Sequence, residues 1–183
     1  MYSAAYINRK YYQENGNPIF HQFNSDHYAM FLYFLSNTLY KNNKIIEATK
    51  IFLLNKALHG IDAFYSIVLP EIFYFVHPIG TILGNAVYSD YLVVYQGVTV
   101  GSDRNEQNIN GLYPEFSKGC TLLANSSIIG KCRIGENVIL GAHSFIRNRV
   151  VSDNIIILGQ YPNNQYIENR HHYLNYYFGQ SLK

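Results

Sequence analysis

The sequence predicts a mainly β fold: a parallel coil of six-residue units preceded by a helical segment. Two regularities carry this. Val76, Ile82, Tyr88, Val94 and Val100 stand six residues apart, and so do Phe116, Leu122, Ile128, Ile134, Leu140 and Ile146. Four residues after these positions come Gly80, Ala86, Leu92 and Val98, then Cys120, Ser126, Cys132, Val138, Ser144 and Val150, most of them small. A six-residue unit forms one short strand and one turn, and three units close a triangular coil. The large residue fills the inside of a face. The small one fits near the corner, where the wall bends inward. Stacked coils pair strand to strand and hide a continuous core. A helix is excluded by the period and by the interrupting Gly84, Gly97, Gly101, Gly119, Gly130, Gly135 and Gly141. A half-buried sheet would alternate with period two.

The elements follow in chain order. Residues 1–24 are polar, and their Asn-Gly and Asn-Pro pairs mark turns. Residues 26–40 read as a helix whose apolar side chains cover more than one face, so it is expected to be largely buried. After a loop at 41–44, residues 45–58 read as a second helix. There Ile45, Ala48, Ile51, Phe52 and Leu58 recur at helical spacing, and Gly60 is placed to end it. The chain thus divides into a helical segment (1–60), a coil (61–160) and a tail (161–183). The repeat breaks once, between Val100 and Phe116, where a polar stretch predicts a loop over 103–115 thrown out from one coil. Residues 155–158 read as a last strand, and the tail as a short helix or an ordered extension.

Composition narrows the function classes. A length of 183 residues suits one compact domain. The net charge is +2 with no basic run, which excludes nucleic acid as a partner. The longest apolar run, 28–35, is far short of the roughly 20 residues that span a bilayer, so no stable membrane insertion is expected. The first ten residues lack the pattern of a signal peptide. Cys120 and Cys132 are too few for a disulfide framework, and a reduced, cytoplasmic setting fits. Both occupy inward small positions and read as core residues.

Residues 58–160 resemble the hexapeptide-repeat acyltransferases, and among them the serine acetyltransferase branch. The resemblance is carried by Ile61-Asp62, by Val76-His77-Pro78-Ile79-Gly80 and by Gln96-Gly97-Val98-Thr99-Val100-Gly101. Tyr113-Pro114 and residues 122–134 extend it. It implies a left-handed parallel β-helix, a homotrimer with its site in a groove between subunits, and acetyl-CoA lying along the coils. No metal is implied. His77 matches the catalytic histidine, and Asp62, fifteen residues earlier, the carboxylate that orients it. Gly101 and Ser102 fall where a backbone N–H faces the thioester oxygen. Ala124 and Ala142 fall where amides contact the coenzyme A arm. Two positions depart. The acidic residue that binds serine is Val76 here, and the second active-site histidine, with its preceding basic residue, is Tyr113 after Leu112.

Transfer of an acyl group from a thioester needs a base for the acceptor hydroxyl or amine and donors for the oxyanion. A histidine oriented by a carboxylate serves the first need and backbone amides the second. Read alone, Asp62 suits a turn or helix end as well as a catalytic role, and Tyr113 suits a plain loop as well as an acceptor site. His171-His172 stand in a polar tail without a carboxylate or cysteine at ligand spacing. A metal-dependent coil protein would need several histidines in the repeat, which offers only His77 and His143. The function expected is acetyl transfer from acetyl-CoA to a small acceptor, with a sugar of a surface polysaccharide first and serine as the alternative. Serine is expected to be a poor acceptor, because Val76 and Leu112-Tyr113 leave its charged ends unmatched unless Asp26 or Arg104 supplies partners.

Overall fold

The computed structural model describes residues 7, 12–104, 111–171 and 173–178. Asn15 and Gly16, at φ of 51° and 77°, close a hairpin between β1 (Gln13–Glu14) and β2 (Asn17–Pro18). Helix α1 (Ser25–Lys41) starts at Asn24, whose side chain accepts from the N–H groups of Asp26 and His27. Helix α2 (Ile45–His59) ends at Gly60, which adopts the left-handed conformation (φ 64°) and donates to Lys56 O.

Helix α1 is the buried one. Ala29, Met30, Leu32 and Tyr33 pack inward, and Tyr33 Oη donates to Ile67 O (2.7 Å) while accepting from Leu69 N (2.8 Å). Helix α2 departs from the expected stripe. Only Ala48, Phe52 and Asn55 are buried, and Ile45 and Leu58 are exposed. Its apolar side chains run all round the helix, whereas the contact is one narrow line.

His27 is fully buried, with Nδ1 accepting from His21 N (3.0 Å), so Nε2 carries the ring proton. Burial, with His21 nearby, pulls its pKa down to about 4. A histidine held neutral in the fold binds its proton more readily when unfolded. Stability therefore falls as the pH drops from about 6.5 towards 4, by at most about 3 kcal/mol. Urea midpoints for the parent and His27→Gln, measured across that range, should converge at low pH. Parallel curves would assign the acid loss to other groups.

β3 (Asp62–Ala63) and β4 (Phe73–Val76) open the coil. The chain then runs through β5 (Ile82–Leu83), β6 (Leu92–Tyr95), β7 (Thr99–Gly101), β8 (Glu115–Phe116), β9 (Thr121–Leu122) and β10 (Ser127–Ile129). It continues through β11 (Arg133–Ile134), β12 (Ile139–Leu140), β13 (Phe145–Arg147), β14 (Val150–Val151) and β15 (Ile155–Leu158). These strands sort into three parallel faces: β3, β5, β7, β10 and β13; β4, β6, β9, β12 and β15; and β8, β11 and β14. The pairing stacks the inward positions in columns. Val100 lies on Ile128 and Ile146, Val94 on Leu122 and Leu140, and Phe116 on Ile134. Cys120 and Cys132 are buried free thiols, and burial pushes Cys120 up to about 12.

Three positions of the six-residue pattern are not in the inward columns. Val76 pairs with Tyr95, and it is Phe75 that lies on Val94. Ile82 is exposed, and its neighbour Leu83 is buried on Val100. Val150 is exposed, and Val151 is buried on Ile134. Counted between inward residues, the corner after β4 takes two more residues than a regular unit (Phe75 to Leu83), the next one fewer (Leu83 to Tyr88), and the corner after β13 one fewer (Ile146 to Val151). Gly80 also lies outside the core, at a corner.

The corners leading from the second face to the first form a ladder. Gly80, Gly97, Asn125 and His143 all have positive φ. Gly97 N donates to Ile79 O, Asn125 N to Gln96 O and His143 N to Ala124 O, each at 2.9 Å. Gly97 is required twice over, since a Cβ there would collide with the Asn125 amide. At the far end β16 (Gln165–Glu168) turns back antiparallel along β15, and α3 (Tyr173–Phe178) follows, so the tail holds a strand that the sequence pattern did not announce.

Candidate functional site

His77 occupies the corner where β4 gives way to β5, at φ 50°, with its side chain 77% exposed. The carboxylate that meets it comes from α1. Asp26 Oδ1 accepts from His77 N (3.1 Å), and Oδ2 lies 3.8 Å from His77 Nδ1. That second distance is ion-pair range and too long for a hydrogen bond. Asp26 is buried, which pushes its carboxyl above the usual range, while the His77 N–H and ring pull the other way. Its place in the first turn of α1 favours the anion.

Above this pair lies a cavity of about 250 Å³ lined by Ser25, Leu58, His59, His77, Pro78 and Ile79. It is smaller than the pockets of drug-sized ligands. No Lys or Arg is among those lining residues.

The structure sorts the sequence-predicted residues onto different parts of the coil. Asp62, at the start of β3, places Oδ2 2.6 Å from Lys56 Nζ, while Asp26 takes the place beside His77. Val76 ends β4 as a buried core residue directly before His77. Ala124 and Ala142 stand at successive corners of the ladder on the His77 side, joined through His143 N to Ala124 O. Gly101 and Ser102 stand at the opposite border of the first face, where Gly130 N donates to Gly101 O (3.0 Å). Tyr113 is on that side too, with its ring over Gly84. One chain therefore does not gather all of these residues into one pocket.

The expected loop is rooted between β7 and β8 by paired bonds, Asp103 N to Leu112 O (3.0 Å) and Leu112 N to Asp103 O (3.1 Å). Asp103 also takes a two-pronged contact from Arg147 (2.9 Å each) and one from Asn148 (2.6 Å), which fixes the root to a later coil and holds its carboxyl below the usual range. Residues 105–110 of the loop, and His172 of the tail, lie outside the described residues. Among the described residues no three His, Cys, Asp or Glu side chains gather as a metal site, and no helix is long and apolar enough to cross a membrane.

Sequence reasoning did not bring to the site His59, which lines the cavity, or Asp26 as the partner of His77. Asp26 follows an Asn-Ser capping pair, which signals a helix start and not a contact with His77. Its meeting with His77 spans 51 residues and is made by tertiary packing.

Residues 116–148 match the six-repeat bacterial transferase hexapeptide model. The serine acetyltransferase of Staphylococcus epidermidis is 26% identical over 131 residues, 71% of this chain and 61% of that protein. The chain thus spans about three fifths of the length of the curated relatives it matches. A serine acetyltransferase of Brucella abortus solved with coenzyme A superposes with a TM-score of 0.69 at 19% identity, covering 80% of this chain and 57% of that one. The Neisseria gonorrhoeae enzyme solved with serine gives 0.65 at 24%, covering 75% and 55%. The fold is that of these left-handed coils.

Proposed function

We propose, from a hexapeptide-repeat coil that resembles the serine acetyltransferases, that this chain transfers an acetyl group from acetyl-CoA to the hydroxyl of a small amino alcohol, serine first. The observation that carries the reading is the buried Asp26 carboxylate beside the exposed His77 at a cavity of acceptor size. The Asp26 carboxylate lies behind His77 and outside the cavity lining, and its charge attracts an ammonium where Val76 does not. This reverses the preference for a sugar drawn from the sequence. The names of the relatives and the serine and coenzyme A held by similar structures support the same choice.

His77 acts as the base. Asp26 near Nδ1 favours the tautomer with its proton there, which leaves Nε2 to take the proton of the acceptor hydroxyl. The new C–O bond forms as the C–S bond of the thioester breaks, and the imidazolium returns the proton to the departing thiolate. Backbone N–H groups at Gly101 and Ser102 stabilise the oxyanion, and the corners at Ala124 and Ala142 hold the coenzyme A arm. Because those residues border the first face on opposite sides, the complete site is built between copies in a homotrimer.

A sugar acceptor remains the second reading, favoured by the lack of a cation among the cavity-lining residues to meet the carboxylate of serine. Thiol release from acetyl-CoA, measured with L-serine beside a panel of nucleotide sugars, separates them. Turnover of serine is expected. Turnover of sugars alone would overturn the serine choice, and none with either would overturn acetyl transfer.

The two carboxylates give a sharper expectation. Asp26→Asn should lower kcat/KM by about 10–100-fold, the worth of a charged hydrogen-bond partner. Asp62→Asn should cost less than about tenfold, since its partner is a half-exposed lysine. Steady-state kinetics giving the opposite order would return the orienting role to Asp62.

A further inference from the structure

We infer that His59 determines acceptor specificity: its Nε2 accepts a hydrogen bond from a hydroxyl or ammonium group of the acceptor, next to the group that reacts at His77. The inference rests on the acetyltransferase reading above and adds to it a residue and a chemical requirement.

The ring's protonation is set by its neighbours. Asn55 is buried, and its Nδ2 donates to Ala29 O (3.0 Å). Its Oδ1 is therefore the atom 2.8 Å from His59 Nδ1, and a carbonyl oxygen only accepts, so Nδ1 carries the proton. In the neutral ring this makes Nε2 a lone-pair acceptor, and partial burial favours the neutral ring although Asp26 opposes it. Tyr28 meets the ring edge-on at 5.7 Å between centroids.

The ring is also held in place relative to His77. His59 and His77 line the same cavity. Gly60, the residue after His59, accepts from Gly80 N (3.0 Å), which ties the end of α2 to the corner that follows His77. The cavity thus presents two histidines, one at the reacting group and one beside it. An acceptor with a hydrogen-bond donor near its reactive hydroxyl satisfies His59, and one without leaves a lone pair unmatched. Sites of that kind reject the analogue lacking the donor.

Three variants test this with acetyl-CoA saturating and L-serine and nucleotide sugars as probes. His59→Phe removes the acceptor atom and should raise the acceptor KM about 10–100-fold with kcat within a few-fold. His59→Asn keeps an N–H near the Nδ1 position for Asn55, protects the fold, and should raise KM likewise. His59→Gln extends an oxygen towards the Nε2 position and should recover most of the parent KM. Thermal melting and coenzyme A titration should be unchanged in His59→Asn. If the parent turns over a probe while His59→Asn keeps its KM within about twofold, or if His59→Gln gives no recovery, the inference falls alone. A fall in kcat at constant KM would also overturn it, by moving the ring into the chemistry. If the parent turns over no probe, the acetyltransferase reading falls and takes this inference with it.

Discussion

His77→Ala should lower the turnover number by about 10²–10⁴-fold, the usual worth of a positioned base, while coenzyme A still binds. The side chain is mostly exposed, so its removal takes little from the core. The backbone complicates the choice of substitute. At φ 50° an alanine is strained, whereas asparagine tolerates the left-handed region better. His77→Asn is therefore the cleaner variant, lacking the base without the strain. Both should lose the acidic limb of the pH profile along with the imidazole. Calorimetry with coenzyme A supplies the control. Normal binding together with turnover within a few-fold of the parent would make His77 structural.

The largest effect on stability is expected from Phe73→Ala, about 3–5 kcal/mol. Phe73 is fully buried at the join between helix and coil. Its ring lies 4.8 Å from that of Phe75, 5.4 Å from Phe34 and 5.9 Å from Tyr33. Truncation opens a cavity at the contact of α1 with β4, which neither element can close alone. Domains of this size are typically stable by only 5–15 kcal/mol, so the loss is a large share of the whole. Urea denaturation gives the measurement. A cost under about 1 kcal/mol would mean that α1 and the coil are stable independently. Because Asp26 rides on α1, loosening this join should also weaken catalysis.

The coil was legible in the sequence because its constraint is local and repeated. Each unit must bury one large residue, and Leu122, Ile128, Ile134 and Leu140 declare it at fixed spacing. Ile82 and Val150 misled because corner length is not written in apolar pattern. The residue that tightens or slackens a corner is polar and solvated. The end of the second helix was legible for a similar reason, as Gly60 acts on its own helix end. Strand β16 was not, because its four residues are exposed and hold their place by backbone pairing alone. Of the proposed site, the sequence displays the His77 corner and hides what tertiary packing assembles around it. Asp26 meets His77, and His59 lines the cavity, through the packing of α1, α2 and the first corner. The family resemblance pointed to Asp62, which lies against Lys56 in this chain.

The reversal at β16 has a consequence for how the molecule ends. A stack of like coils is a polymer of its own repeat, and every finished coil is a growth face of unpaired amides and carbonyls. Parallel addition would continue from β15 into a neighbouring molecule as readily as from β12 into β15. Strand β16 occupies that face with its direction inverted, pairing Ile155 to Glu168 and Leu158 to Gln165. The outer edge left behind is antiparallel, with exposed Tyr166 and Ile167 flanked by Gln165 and by Glu168, which Arg170 holds. At the opposite end of the same face, α1 packs on β4. The sheet is thus a terminated oligomer of coils, its length set by chain-stopping units of different chemistry at its two ends.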